Sequence, residues 1–190
     1  MAGMKDTIKA VAVDLFYRKG YFATSINDIA KGCGIQKASI YYHYPSKEDL
    51  LFFIMESTMD GLVEHLKESL AGGEGVEGKM RAAVHGHVQF HLKQQKETFI
   101  ASSELRGLSP EHFQAVVNKR DEYEGIFQDL INEGREQGIF AEGDIKILSY
   151  AILTLCTAGA FWFNPKGRLA VDDIAAIYEN FVLKGMKKPA

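Results

Sequence analysis

An all-α fold is expected from three features of the 190 residues. Apolar residues recur at i, i+3, i+4, i+7 spacing, glycines and prolines punctuate those runs, and Ser, Thr and Asp stand where helix starts need caps. The 46% hydrophobic content is ample for a packed core. The order of the runs divides the chain into a three-helix, helix-turn-helix head over residues 1–50 and a helical body over residues 51–190.

The first helix is read from Lys5 to Lys19, where Ile8, Val11, Ala12, Leu15 and Phe16 form one apolar stripe and Gly20 ends the run. Thr24 and Ser25 can each cap the next helix, in which Ile26, Ile29 and Ala30 keep helical spacing until Gly32 and Gly34. A second short helix fits Gln36 to Tyr42. Its small residues Ala38 and Ser39 permit close approach to a surface, and Gln36, Lys37 and Ser39 carry groups that read base edges, so this is the candidate recognition helix. The run Tyr41-Tyr42-His43-Tyr44-Pro45 ends it, because proline cannot donate the next helical bond. Ser46 then caps a new start with Asp49 three residues on. Lys47 opposes the dipole of that helix, which makes sense where a phosphate is to be held.

That helix is expected to run to about Leu70, with Leu50, Ile54, Thr58, Leu62 and Leu66 on one side. Residues Ala71 to Gly78 hold four glycines in eight positions and read as a flexible loop. Helices follow at about Lys79 to Gln95, Thr98 to Arg106 and Pro110 to Gln137, the last with Ser109 as cap and proline at its first position. Its face carries Phe113, Val116, Val117, Arg120, Tyr123, Phe127, Leu130 and Ile131. His87 and His91 share a helical face, but no third metal ligand follows from the spacing, so they are expected to line a pocket or the surface and no metal is expected. His43 is a candidate phosphate contact, whereas His65, His85 and His112 carry no signal.

From Ile147 to Phe163 the chain is apolar nearly all the way round. The hydroxyls of Ser149, Thr154 and Thr157 and the lack of flanking basic anchors argue against a membrane span and for a helix buried by protein. One subunit of this size would struggle to cover it. Ala151, Leu155, Ala158, Gly159 and Trp162, with Ile177 and Phe181 on a last amphipathic helix, are spaced for a four-helix contact between two copies.

Net charge is −3, but it is uneven: seven Lys and Arg face five acids through Leu50, leaving the rest of the chain acidic. That distribution suits a basic head that meets phosphates. Cys33 and Cys156 indicate neither a disulfide framework nor a zinc site. The N-terminus lacks an apolar signal core, which suggests a cytoplasmic protein. No Gly-x-Ser-x-Gly elbow, phosphate-binding glycine loop or dense set of acids points to catalysis, and no cofactor is implied.

Gly20-Tyr21-Phe22, Thr24-Ser25-Ile26, Ile29-Ala30, Gly34-Ile35, Ser39-Ile40-Tyr41-Tyr42-His43-Tyr44 and Lys47-Glu48-Asp49-Leu50-Leu51 hold their order and spacing over about fifty residues. They resemble the N-terminal signature of TetR-family repressors. Glu104-Leu105-Arg106, Arg120-Asp121-Glu122-Tyr123-Glu124 with Phe127, and Trp162-Phe163-Asn164-Pro165-Lys166-Gly167-Arg168-Leu169 resemble the C-terminal domain of TetR-type repressors that respond to acyl-CoA thioesters. Relatives of that branch often carry arginine where Asn164 stands and a serine cap where Ala170 stands.

The resemblance implies a homodimer on a palindromic double-stranded operator, with half-sites about one helical turn apart, roughly 34–36 Å. Its DNA contacts would be Thr24, Ser25, Gln36, Lys37, Ala38, Ser39, Tyr41, Tyr42, His43 and Lys47. A small-molecule effector, an acyl-CoA or another apolar compound, would meet Phe90, Phe99, Arg106, Phe113, Arg120, Tyr123, Phe127, Trp162 and Arg168 in a ligand-binding and dimerisation body. A hydrophobic drug-like effector of an efflux or stress gene is the second reading, and a helical sensor without DNA binding the third.

Overall fold

The computed structural model describes residues 3–188, and among them every regular element is helical. In chain order these are α1 (Met4–Lys19), α2 (Ile26–Cys33), α3 (Lys37–His43), α4 (Lys47–Leu70), α5 (Gly75–Lys93), α6 (Gln95–Ser103), a single 3-10 turn (Leu105–Gly107), α7 (Pro110–Glu136), α8 (Ile145–Thr157), α9 (Gly159–Trp162) and α10 (Val171–Met186). The described residues form two compact units: those up to Met59 together with Lys96–Val117, and Asp60–Gln95 together with those from Asn118 onward. The division between these units falls inside α4, after Met59, and the first unit also takes in α6 and the start of α7.

The first unit is built on the apolar stripes read from the sequence. Ile8, Ala12 and Phe16 of α1, Ile29 of α2, Ile40 of α3, Leu50, Leu51, Ile54 and Met55 of α4, and Ile100 of α6 are all fully buried together. Burying a Leu, Ile or Phe side chain contributes about 1.5–3 kcal/mol, so this cluster rather than helix propensity holds the short helices in place. Helices α1 and α2 approach closely at Gly32, where an added Cβ would lie 2.6 Å from Val11 Cγ1.

In the second unit α5 packs against α10, α8 and α9. The chain after α7 folds back onto α10, with Ala141 N–H donating to Met186 O at 2.8 Å and Lys188 N–H donating to Ile139 O at 3.3 Å. Two expectations need correction here. Helix α5 begins at Gly75 rather than near Lys79, because the turn is completed by Gly72 and Gly73 alone, so half of the glycine-rich stretch is helical. The apolar segment after Ile147 is not one continuous helix: it starts at Ile145 under an Asp144 cap and breaks at Ala158, and 28% of Ile145–Trp162 is buried within the single subunit.

Candidate nucleic-acid interface and the polar core of the body

The head positions α3 through local chemistry. Ser25 caps α2: its Oγ accepts from Asp28 N–H at 3.2 Å, and Asp28 Oδ2 accepts from Ser25 N–H at 2.9 Å and from Ser25 Oγ–H at 2.7 Å. Those bonds hold the Asp28 carboxyl below the usual carboxylate range. Gly34 ends α2 in the left-handed region, φ 67° and ψ 28°, which favours a residue without Cβ and turns the chain sharply into α3. Helix α3 is anchored by one fully buried residue, Ile40, with Tyr44 beneath its end. Gln36, Lys37, Ala38, Ser39, Tyr41 and Tyr42 are exposed, Tyr42 by 86%, while His43 is half-buried with its ring edge-on to Tyr42. Lys37 Nζ sits 5.5 Å from the Tyr41 ring centre. This seven-residue helix buries Ile40 in the head and leaves Lys37, Ala38, Ser39, Tyr41 and Tyr42 open to solvent.

Two residues expected at that surface are turned inward. Thr24 is buried, and its Oγ1 donates to Gly20 O at 2.9 Å, so it neither caps α2 nor reaches a phosphate with its side chain. Lys47 Nζ donates to Tyr21 O at 3.0 Å and Thr24 O at 2.9 Å and lies 4.2 Å from the Tyr21 ring centre. Its charge is thus stabilised by two carbonyls and an aromatic face of the head itself, although burial still lowers its pKa, with Glu104 opposing. Glu104 Oε1 in turn accepts from Tyr21 N–H at 3.2 Å.

His112, which carries no sequence signal, stacks on Phe52 at 3.9 Å and 3° and places Nδ1 2.6 Å from Glu48 Oε1. Glu48, Asp49 and His112 bring possible ligand atoms within 4.8 Å of one another. Each acid is already engaged: Glu48 Oε1 accepts from Ser109 N–H at 2.9 Å and Asp49 Oδ2 from Ser46 Oγ–H at 2.7 Å.

In the second unit the two α5 histidines form the centre of a buried polar chain. Their rings stack at 4.0 Å. His87 Nδ1 lies 2.8 Å from Tyr123 Oη of α7, and His87 Nε2 lies 3.0 Å from Thr157 Oγ1 at the end of α8. His91 Nδ1 lies 2.9 Å from the carbonyl oxygen of His87, and its Nε2 lies 3.5 Å from the same Thr157 hydroxyl. Burial drives both imidazoles toward the neutral form, His91 to about 4 and His87 well below its ordinary value, and pushes the Tyr123 phenol well up.

Of the expected ligand contacts, Tyr123 and Phe127 are buried beside this chain, with ring centres 5.6 Å apart, and Phe127 meets His87 edge-on at 6.1 Å. Arg120 is partly buried one turn earlier on α7, close enough to act on His91. Phe90 faces His65 at 5.8 Å, on the rim of a groove of about 370 Å³. Phe99, which meets Tyr17 edge-on at 5.1 Å, belongs to the first unit, as do exposed Arg106 and Phe113. Arg168 is exposed in the link before α10, and Trp162 is 54% exposed. Ala170, where relatives often carry a serine cap, offers no side-chain acceptor to α10, and Asp173 supplies the other half of a capping box by accepting from Ala170 N–H at 3.0 Å.

Most of the residues expected at a self-contact are exposed in the single subunit. Ala151, Leu155, Trp162, Ile177 and Phe181 are exposed, joined by Ile147, Tyr150 and Phe161, which sequence spacing did not single out. Ala158 is half-buried. Gly159 is the exception: it is buried against its own subunit, where an added Cβ would lie 3.0 Å from Leu92 Cδ2.

A capped helix, a left-handed glycine turn and an outward-facing second helix define a helix-turn-helix transcription regulator. Residues 8–53 match the family described as bacterial regulatory proteins, tetR family, and residues 73–186, more than half of the chain, match the tetracyclin repressor-like C-terminal domain. The chain belongs to the TetR family. It is 25% identical over 190 residues to the HTH-type transcriptional repressor KstR2 of Rhodococcus jostii (strain RHA1), covering 99% of this chain and 93% of that protein. A bacterial regulatory protein in the tetR family from Rhodococcus RHA1 superposes with a TM-score of 0.93 at 26% identity and full coverage of both chains. AibR in complex with isovaleryl coenzyme A and operator DNA superposes with a TM-score of 0.86 at 24% identity, covering 99% of this chain and all of that one, and so shares the fold.

Proposed function

We propose that this TetR-family protein is a homodimeric, cytoplasmic repressor that leaves a palindromic operator when an acyl-CoA or similarly apolar ligand enters its body, and that it governs breakdown of fatty acids or related CoA thioesters. The observation that carries the reading is α3: Gln36, Lys37 and Ser39 face outward as base-edge readers, and Tyr42 and His43 flank them as phosphate contacts. Ser25, exposed at the start of α2, adds a phosphate contact beside a helix N-terminus.

The segment Ile145–Trp162 is apolar and long enough to cross a membrane by length and composition, with 28% of it buried. A second copy is the better cover. The exposed residues of α8 and α10 lie on amphipathic helices whose other faces are buried in this subunit, and the break at Ala158 interrupts any straight span.

For release, the ligand must favour a different spacing of the two heads. Helix α4 runs unbroken from Lys47 to Leu70, so its C-terminal half is exposed to events in the body and its N-terminal half to the head. A near-complete switch requires the ligand to prefer the released form by about 5 kcal/mol. AibR, with the same fold, was captured with isovaleryl coenzyme A, which supports a CoA thioester as the ligand here. All these relatives are regulators, which supports a binding protein rather than an enzyme.

The test is a gel-shift titration of a selected palindrome against isovaleryl-CoA and longer acyl-CoAs. Release at micromolar ligand is expected; binding that persists unchanged at saturating ligand would discard the effector class, and failure to select any palindrome would discard the repressor reading.

A further inference from the structure

The hydrogen positions in the His87–His91 chain follow from one fixed point. The carbonyl oxygen of His87 can only accept, so His91 Nδ1, 2.9 Å away, carries the proton and donates to it. His91 Nε2 then carries a lone pair, and toward Thr157 Oγ1, at 3.5 Å, it can only accept. Thr157, giving its hydrogen there, accepts from His87 Nε2–H at 3.0 Å, which leaves His87 Nδ1 as an acceptor for Tyr123 Oη–H at 2.8 Å. With the 3.5 Å contact between Thr157 and His91 setting its end, the ligand-free chain runs from the Tyr123 hydroxyl through His87 and Thr157 to His91.

The opposite direction is nearly as well satisfied. With the proton of His87 on Nδ1, that nitrogen donates to Tyr123 Oη, Thr157 Oγ1–H donates to His87 Nε2, and the Tyr123 hydrogen is set free. One proton leaves Nε2 and one arrives at Nδ1 by exchange with solvent, so charge and proton count are unchanged. Within the chain, the hydrogen bond given up is the one between Thr157 and His91 at 3.5 Å, the longest of the four. Neutrality is what makes this reversal possible: burial keeps the imidazoles uncharged and the phenol protonated, so the chain responds to hydrogen-bond demand rather than to ionisation.

A group that needs a donor at Tyr123 is the natural cause of reversal. We propose that the Tyr123 hydroxyl is the hydrogen-bond donor to the carbonyl oxygen of an acyl thioester effector, released for that role when the His87 and Thr157 chain reverses. The inference rests on the effector reading above and adds the atom that recognises the acyl carbonyl.

The experiment is long-range proton–nitrogen NMR of full-length protein labelled with 15N-histidine, free and saturated with isovaleryl-CoA or with its thioether analogue, S-(3-methylbutyl)-CoA, which lacks the carbonyl oxygen. His91, whose Nδ1–H is pinned by a backbone carbonyl, keeps one tautomer throughout and serves as the internal reference. The expected result is an Nε2–H tautomer at His87 in the free protein, converted to Nδ1–H by the thioester and not by the thioether. The thioester should bind at least tenfold more tightly than the thioether, and Tyr123→Phe should erase that difference. If isovaleryl-CoA releases DNA with no change at His87, or if both compounds convert His87 alike, the inference is wrong and the effector reading stands. If isovaleryl-CoA neither releases DNA nor alters His87, both fall.

Discussion

Replacing Lys47 by methionine separates two roles that the same side chain could play. As a phosphate contact, Lys47 would contribute one counterion-releasing charge, and its loss would weaken binding to all duplexes and lower the salt slope by about 0.9. As placed here, the ammonium instead joins Tyr21 O and Thr24 O, the two carbonyls that lead into the Ser25 cap of α2. Hydrogen bonds to charged groups are worth about 1.5–3 kcal/mol each, and a half-buried pair open to water falls near or below the low end, so about 2 kcal/mol for both is expected. Methionine keeps the aliphatic packing over Tyr21 and removes only the donors. Native-state hydrogen exchange of the α2 amides should then accelerate roughly 30-fold, since 1.4 kcal/mol is a factor of ten. DNA affinity should fall with it while the salt slope changes little. Unaltered α2 exchange combined with a slope reduced by about one unit would refute the internal role and restore Lys47 to the phosphates.

Two further outcomes follow from the body. Phe181→Asp places a charge on the exposed face of α10, where the native phenylalanine is 67% exposed; light scattering should report monomers at micromolar protein, and a dimer that survives would move the interface elsewhere. His91 is held neutral chiefly by burial, with a folded-state pKa of about 4 against 6.5 for the free side chain. Below pH 6.5 the unfolded chain takes up a proton that the folded one refuses, so this stability is present above that pH and is lost as pH falls from 6.5 to 4, by an amount on the order of 3 kcal/mol. Urea unfolding of the native protein should show that loss, and His91→Gln should flatten the curve in that window; equal slopes would mean that His91 does not titrate as its burial implies.

The head was legible because its signals are local. Ser25 and Asp28 are three residues apart, Gly34 sits where the turn demands a left-handed backbone, and Ile40 and Tyr44 are one helical turn apart, so the order of residues alone sets the motif. Thr24 and Lys47 were misread for the same reason. A hydroxyl beside a cap can turn back as well as forward, and Thr24 bonds Gly20 O one turn before it, whereas the partners of Lys47, the carbonyls of Tyr21 and Thr24, are met only when α4 packs onto the turn before α2.

In the body the balance is reversed. Apolar spacing located the exposed face of α8 and α10 to within Gly159, whose lack of side chain suits an intramolecular approach to Leu92 as well as it suits a close dimer contact. The His87 and His91 pair was visible as a shared face, yet what it does depends on Tyr123 and Thr157, which lie 36 and 70 residues from His87. No periodicity encodes such a chain. What sequence does supply is the constraint that two neutral imidazoles, a phenol and a threonine hydroxyl must share a fixed number of hydrogens, and one backbone carbonyl then fixes the tautomer of His91 at the end of the chain.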